Sequence, residues 1–263
     1  MIRWLAPLIL ASAPAAAQLA PGEQTMLDLA FARGKLLYAY DQAAWHGTDD
    51  MLQKVKQPEK TVGGWIVDGP AEAPELIFYD QDKAEPHAVY SARFRGSRLA
   101  SAKLFGPGDD RTLSPQRRAL IAARDKATAA WLASGPKLCT RARVNSVVLP
   151  PTAPGAPTLV YMLTPQSALE SFPFGGHYRI EVGPDSSAPT IRGFANSCLE
   201  MQRPTAAQRR GIMFVSHVLD PIPTEIHVFS ALAARVQLVV GTSDKRLWSI
   251  SDKGIKAEQP LKD

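Results

Sequence analysis

The sequence predicts an α+β protein in which two helices are kept apart from largely antiparallel sheets. Three observations carry this. Two stretches, near 22–55 and 114–133, place apolar residues at three- and four-residue spacing. Between and after them run short segments rich in β-branched and aromatic residues, separated by Gly, Pro, Asp and Ser clusters. The strands follow one another through turns alone, which favours antiparallel meanders over strand–helix–strand units and a parallel sheet.

Taken in order, Met1 to Ala17 reads MIRWLAPLILASAPAAA, with Arg3 before an apolar run and small residues at Ala15 and Ala17. This is the pattern of a secretory signal peptide over 1–17, with the mature chain expected to begin at Gln18. The apolar run falls short of the roughly 20 residues of a membrane-spanning helix, and no later stretch is apolar enough to span a bilayer. A periplasmic or extracellular location is therefore expected. The formal charge of +5 includes Arg3, so its removal leaves +4, with both signs mixed along the chain. Such a mild excess gives no concentrated basic stripe, and nucleic-acid binding is not expected. A hydrophobic content of 45% suffices for a packed core.

The first helix is read from Gly22 to about Val55 through Met26, Leu29, Leu36, Leu37, Tyr40 and Met51, with a break expected near Gly47. His46, Asp49 and Asp50 stand close together there, and are read as a solvated helix end. Strands follow at Gly64 to Val67, Glu75 to Tyr79, Ala88 to Arg95 and Arg98 to Phe105. Arg93, Arg95, Arg98 and Lys103 form a small basic patch on that meander, read as a solvent-facing surface.

Ser114 followed by Pro115 starts a second helix, and Gly135 with Pro136 ends it near Ala133. Strands resume at Arg143 to Leu149, Thr158 to Leu163, His177 to Val182 and Thr190 to Ala195. The order suggests a duplicated α-ββββ unit, and short matches agree with it. AxDxA occurs at Ala39–Asp41–Ala43 and Ala123–Asp125–Ala127, and APELIFY at 73–79 echoes APTLVYM at 156–162, offsets of 84 and 83 residues. This divides the chain into the leader, an N-terminal α+β unit over 18–110 and a C-terminal unit over 111–263 that carries an extra meander. Both units also fit within one domain.

Cys139 and Cys198 are the only cysteines. In an oxidising compartment they are expected to form one structural disulfide, worth on the order of 4 kcal/mol at most by loop-closure entropy. No CxxC motif suggests redox work.

Residues 212–232, IMFVSHVLDPIPTEIHVFSAL, hold two of the five histidines. Two apolar runs flank Asp220, Pro221 and Pro223, and they are read as a β-hairpin closed by residues 220–224. That register sets His217 opposite His227 and puts Glu225 on the same face. His217, Glu225 and His227 are thereby a candidate site for a divalent metal. Further strands are expected at Val236 to Gly241 and Leu247 to Ile250, making a C-terminal antiparallel meander.

Catalytic signatures are missing: there is no GxSxG, P-loop, GxGxxG or HExxH. Ser216 and His217 are neighbours in a strand and point to opposite faces. His177, after Gly175 and Gly176, is read as structural. The preferred function is a non-enzymatic exported protein that binds an envelope component or a protein partner. The alternative is a metal-dependent hydrolase built on the histidine pair and Glu225.

Overall fold

The computed structural model describes residues 19–185, 187–204 and 212–258. The leader at 1–17 and the basic segment Thr205 to Arg210 lie outside the described residues. Among the described residues four helices and fourteen strands are formed, an α+β fold with two more helices than the periodicity announced.

The first helix, α1 (Glu23–Lys54), runs unbroken through both of its glycines. Gly47 marks close packing instead of a break. A Cβ there would stand 2.1 Å from Leu76 Cδ2, and one at Gly34 would stand 2.5 Å from Val228 Cβ. Both glycines let another element approach the helix axis, which outweighs their roughly 1 kcal/mol propensity cost. A single turn, α2 (Pro58–Thr61), leads into β1 (Gly64–Asp68), β2 (Glu75–Tyr79), β3 (Ala88–Arg95) and β4 (Arg98–Leu104), which pair sequentially and antiparallel. The basic patch on β3 and β4 is partly neutralised, with Arg93 Nε 3.4 Å from Glu75 and Lys103 Nζ 2.8 Å from Asp109.

Helix α3 (Pro115–Ala133) begins where the Ser-Pro pair places it, with the Ser114 hydroxyl accepting the Arg117 backbone N–H at 3.2 Å. It precedes a second four-stranded antiparallel sheet of β5 (Asn145–Leu149), β6 (Thr158–Leu163), β8 (Tyr178–Val182) and β9 (Thr190–Gly193). The topology of helix then meander therefore occurs twice. A small hairpin-like sheet, β7 (Ser171–Pro173) with β10 (Glu200–Gln202), is inserted into the second copy.

The β1 and β5 edges lie side by side. Strands β2 and β6 bury both faces, which is why they read as continuous apolar runs and not as alternations. Leu76, Phe78, Leu159 and Tyr161 pack under α1; Ile77, Val160 and Met162 pack under α3. Helix α3 also stitches the seam between the sheets. Arg117 donates to Asp68 at 2.7 Å and Glu75 at 2.8 Å, while Arg124 donates to Ser146 Oγ at 2.7 Å and the Tyr79 hydroxyl at 2.6 Å.

The expected histidine hairpin is not formed. Residues Ile212–His217 are a strand, β11, but Glu225–Ala234 form a helix, α4, and β12 (Gln237–Thr242) pairs parallel to β11. β13 (Leu247–Ser251) and β14 (Gly254–Ala257) complete the sheet antiparallel. The C-terminal meander is thus a strand–helix–strand crossover followed by two antiparallel strands. The physical reason lies in EIHVFSALAA, which is apolar apart from Glu225, His227 and Ser230 and buried on nearly every side. A short helix of this kind shows no amphipathic stripe to distinguish it from a buried strand. Its core partners are Leu27 of α1 and Met213, Val215, Leu238, Val240, Trp248 and Ile250 of the sheet. Arg246 fixes the start of α1 to this sheet through paired contacts to Glu23 of 2.8 and 2.5 Å.

Candidate functional site

His217 and His227 do meet, by a different route from a cross-strand pair. His217 ends β11 and His227 sits in the first turn of α4, and their ring centroids are 4.5 Å apart at an interplanar angle of 77°. Each ring is otherwise engaged. The His217 Nε2–H donates to Asp220 Oδ2 at 2.7 Å, and Arg192 Nη2 donates to the same oxygen at 2.6 Å. His227 Nδ1 accepts the Thr224 backbone N–H at 3.0 Å and so helps cap α4. Burial, reinforced by His217 beside it, pushes the His227 imidazole down to about 3, so it stays neutral.

Glu225 does not join the two histidines. Its carboxylate accepts the Tyr161 hydroxyl at 2.9 Å and Arg179 Nη1 at 2.5 Å, tying the start of α4 to β6 and β8. Arg179 Nη2 donates to Glu181 at 2.7 Å. Burial and the Glu225 carboxylate hold the Tyr161 hydroxyl protonated. Among the described residues no three His, Cys, Asp or Glu side chains are grouped so as to hold a metal ion. His46 stacks on Trp45, and Asp50 pairs with Lys54 at 2.7 Å and with the Tyr90 hydroxyl.

The molecule carries a different concavity, a groove of about 710 Å³ between α1, α4 and the segment that follows β6. One wall is a stripe of α1, Tyr38, Asp41, Trp45 and Thr48, whose three- and four-residue spacing puts them on one face beside the core-facing Leu37, Tyr40 and Ala44. Helix α4 supplies Phe229, Ser230 and Ala233, and Trp65 and Asn145 come from the edges of the two meanders. Residues 164–169 form the lip.

Three features distinguish this groove. Trp45 keeps 51% of its surface exposed even with His46 stacked on its ring, which leaves a large part of an indole in water. Ser230 is 2% exposed, and its hydroxyl has no hydrogen-bond partner among the described residues. Such a group loses its hydration without replacement, at about 1–3 kcal/mol. Asp41, crowded by protein at the groove wall, has its carboxyl pushed up to about 6 by desolvation, with the neighbouring Gln42 amide offsetting part of the rise. It forms no ion pair among the described residues.

The lip is fixed from beneath. The Thr164 N–H donates to His177 Nδ1 at 3.2 Å, and His177 Nε2–H donates to the Pro173 carbonyl at 3.1 Å, so one neutral imidazole clamps both ends of the segment. Burial pushes His177 down to about 4. His177 is structural in this geometry, as its lone position at a strand start suggests. Cys139 and Cys198 form the disulfide, with Cα atoms 5.2 Å apart and a sequence separation of 59. Leu199, next to Cys198, accepts the Phe174 and Gly175 N–H groups at 2.8 and 3.2 Å, so the bridge also anchors the base of the lip.

Reduction of this bridge is expected to lower stability by about 2–4 kcal/mol, a fall in Tm of roughly 5–15 °C. Thermal melts with and without dithiothreitol, followed by hydrogen exchange at 164–174, measure both effects. An unchanged Tm in the reduced protein would contradict a stapling role.

Comparison with protein-family models, with curated proteins and with solved structures finds no match. The groove residues are spread over 38–48, 65, 145, 163–173, 203 and 229–235, and only the fold brings them together. The nearest sequence signal was Asp41 inside the repeated AxDxA, which marks a charged residue among small ones on a buried helix.

Proposed function

We propose that this chain is an exported, non-enzymatic binding protein of the cell envelope whose groove holds a small organic ligand. The observation that carries this reading is the groove itself. Its volume of about 710 Å³ suits a ligand of drug or metabolite size, and its mixture of aromatic walls with a few converging polar groups is the usual composition of such sites. Export is supported by the leader pattern at 1–17 and by the disulfide. No helix among the described residues is long and apolar enough to cross a membrane.

The lining favours holding over cleaving. Among its described residues Asp41 is the one carboxylate, and no histidine or cysteine stands there. Ser230 therefore has no adjacent base, and a carboxylate pair of the glycosidase type is not assembled. The alternative reading, a metal-dependent hydrolase at His217, His227 and Glu225, is disfavoured by the commitment of Glu225 to Arg179 and Tyr161. Metal analysis of untagged protein tests that alternative, since a stoichiometric divalent metal lost on His227→Ala would favour it.

Ala233→Trp places an indole in the groove from a half-buried helix position. In a thermal-shift panel of small charged and neutral metabolites, at least one class is expected to raise the Tm of the natural protein by about 3 °C or more and leave the Ala233→Trp protein unmoved. Ligands that stabilise both proteins equally would move the site elsewhere.

A further inference from the structure

We infer that the ligand of this groove is an organic cation, an amine or quaternary ammonium on an apolar body, with Asp41 as its counter-ion and the Trp45 and Trp65 rings as its walls. The inference rests on the binding reading above and adds the chemical class.

Charge complementarity carries it first. Asp41 sits on the groove wall with no Arg, Lys or His of the described residues paired to it. The other buried and half-buried carboxylates among the described residues have such partners: Glu225 has Arg179, Glu23 has Arg246, and Asp68 has Arg117. A desolvated acid with no cation costs stability, and a protein retains one at little benefit unless a ligand supplies the charge. A neutral ligand would gain only a hydrogen bond from it; an ammonium gains a charge-assisted one in a partly dry site.

The remaining lining fits the same class. Tyr38, Trp45, Trp65 and Phe229 present aromatic surface, and cations are attracted to the faces of such rings, most strongly to indole. The unpartnered Ser230 hydroxyl offers an acceptor for an N–H on the α4 side of the groove. The two arginines of the lining do not compete for the centre. Arg203 donates to the Ala234 carbonyl at 3.0 Å, lies 3.4 Å from Glu170 and rests over the Phe172 ring. Arg235 is exposed at the end of α4.

Paired probes of one shape test this: 2-phenylethylamine, charged at neutral pH, and 2-phenylethanol, uncharged. Binding is read from tryptophan fluorescence and calorimetry on the full disulfide-bonded protein. At pH 7.5 the amine is expected to bind at least about tenfold more tightly than the alcohol, and Asp41→Asn is expected to remove that preference without weakening the alcohol. The natural protein gives a second readout that needs no variant. Its affinity for the amine is expected to fall about tenfold between pH 7.5 and 5, as Asp41 takes up a proton and the amine keeps its own. The other ionisable side chains facing the groove are Tyr38, Arg203 and Arg235, with His46 stacked on Trp45 outside the lining, so Asp41 is the sole carboxylate able to produce that fall.

Equal binding of amine and alcohol, or an amine affinity indifferent to both Asp41→Asn and pH, would overturn the cation assignment. If Ala233→Trp still blocked both probes in that case, the groove would stand as a binding site of another class. If Ala233→Trp blocked neither, the groove reading would fail with it.

Discussion

Lowering the pH from 7 to about 4 is expected to cost the fold on the order of 5 kcal/mol, enough to unfold a protein of ordinary stability. The cause is the pair of buried neutral imidazoles, His177 under the groove lip and His227 at the start of α4, pushed down to about 4 and about 3 by burial. In the unfolded chain each takes a proton near pH 6.5. Between that value and the folded one, the unfolded state binds protons that the folded state refuses, so stability is complete above pH 6.5 and drains away as pH falls. Asp41 acts in the opposite sense, because its raised value makes the folded state the better proton binder between about 4 and 6. It is one group against two, so acid destabilisation prevails. Urea titrations at pH 7, 5.5 and 4 measure the loss, and His177→Gln should flatten its share of the slope. A stability independent of pH over this range would show that the imidazoles are not enclosed as described.

Replacing Arg179 with Met is expected to destabilise the protein by about 3–5 kcal/mol. Glu225 is 5% exposed, and its carboxylate would be left with the Tyr161 hydroxyl as its remaining partner. Most of that cost is a stranded charge and not a lost attraction, so it should be recoverable. Glu225→Gln in the Arg179→Met background keeps a carbonyl for Tyr161 and removes the charge. The double variant is therefore expected to regain roughly 2 kcal/mol, a coupling that chemical denaturation of the four proteins in the cycle resolves. Additive losses would mean that the two side chains do not share one network.

The two meanders and α3 were legible because their punctuation is local. Ser114–Pro115 and Gly135–Pro136 mark helix ends by backbone chemistry alone, and DGPAEAP and DQDKAEP separate strands in the same way. The disulfide was legible from two cysteines and an export pattern. Helix α4 was not, because β-branched and aromatic residues in a segment buried on all sides satisfy both a strand and a helix. The usable signal was Thr224 after Pro223 with a side-chain acceptor three residues on, a helix start hidden by the expectation of a turn. His217 and His227 were expected as neighbours across a hairpin and meet across a strand end and a helix start, and with the register gone Glu225 turns toward Arg179. The groove was hidden for a deeper reason. No single segment encodes it, and a lone acid such as Asp41 on an alanine-rich helix looks like a solvated residue until the neighbouring elements are in place.

The contact at Gly34 reaches further than helix packing. With only a hydrogen on its α-carbon, this position lets α4 settle so close that Val228 and the Glu225 carbonyl occupy the space of a missing side chain. The same two helices carry the opposing faces on which Asp41 and Ser230 stand. The width of the groove is thus gauged by one absent methyl, and an alanine at residue 34 would pry its two walls apart while leaving every lining side chain unchanged.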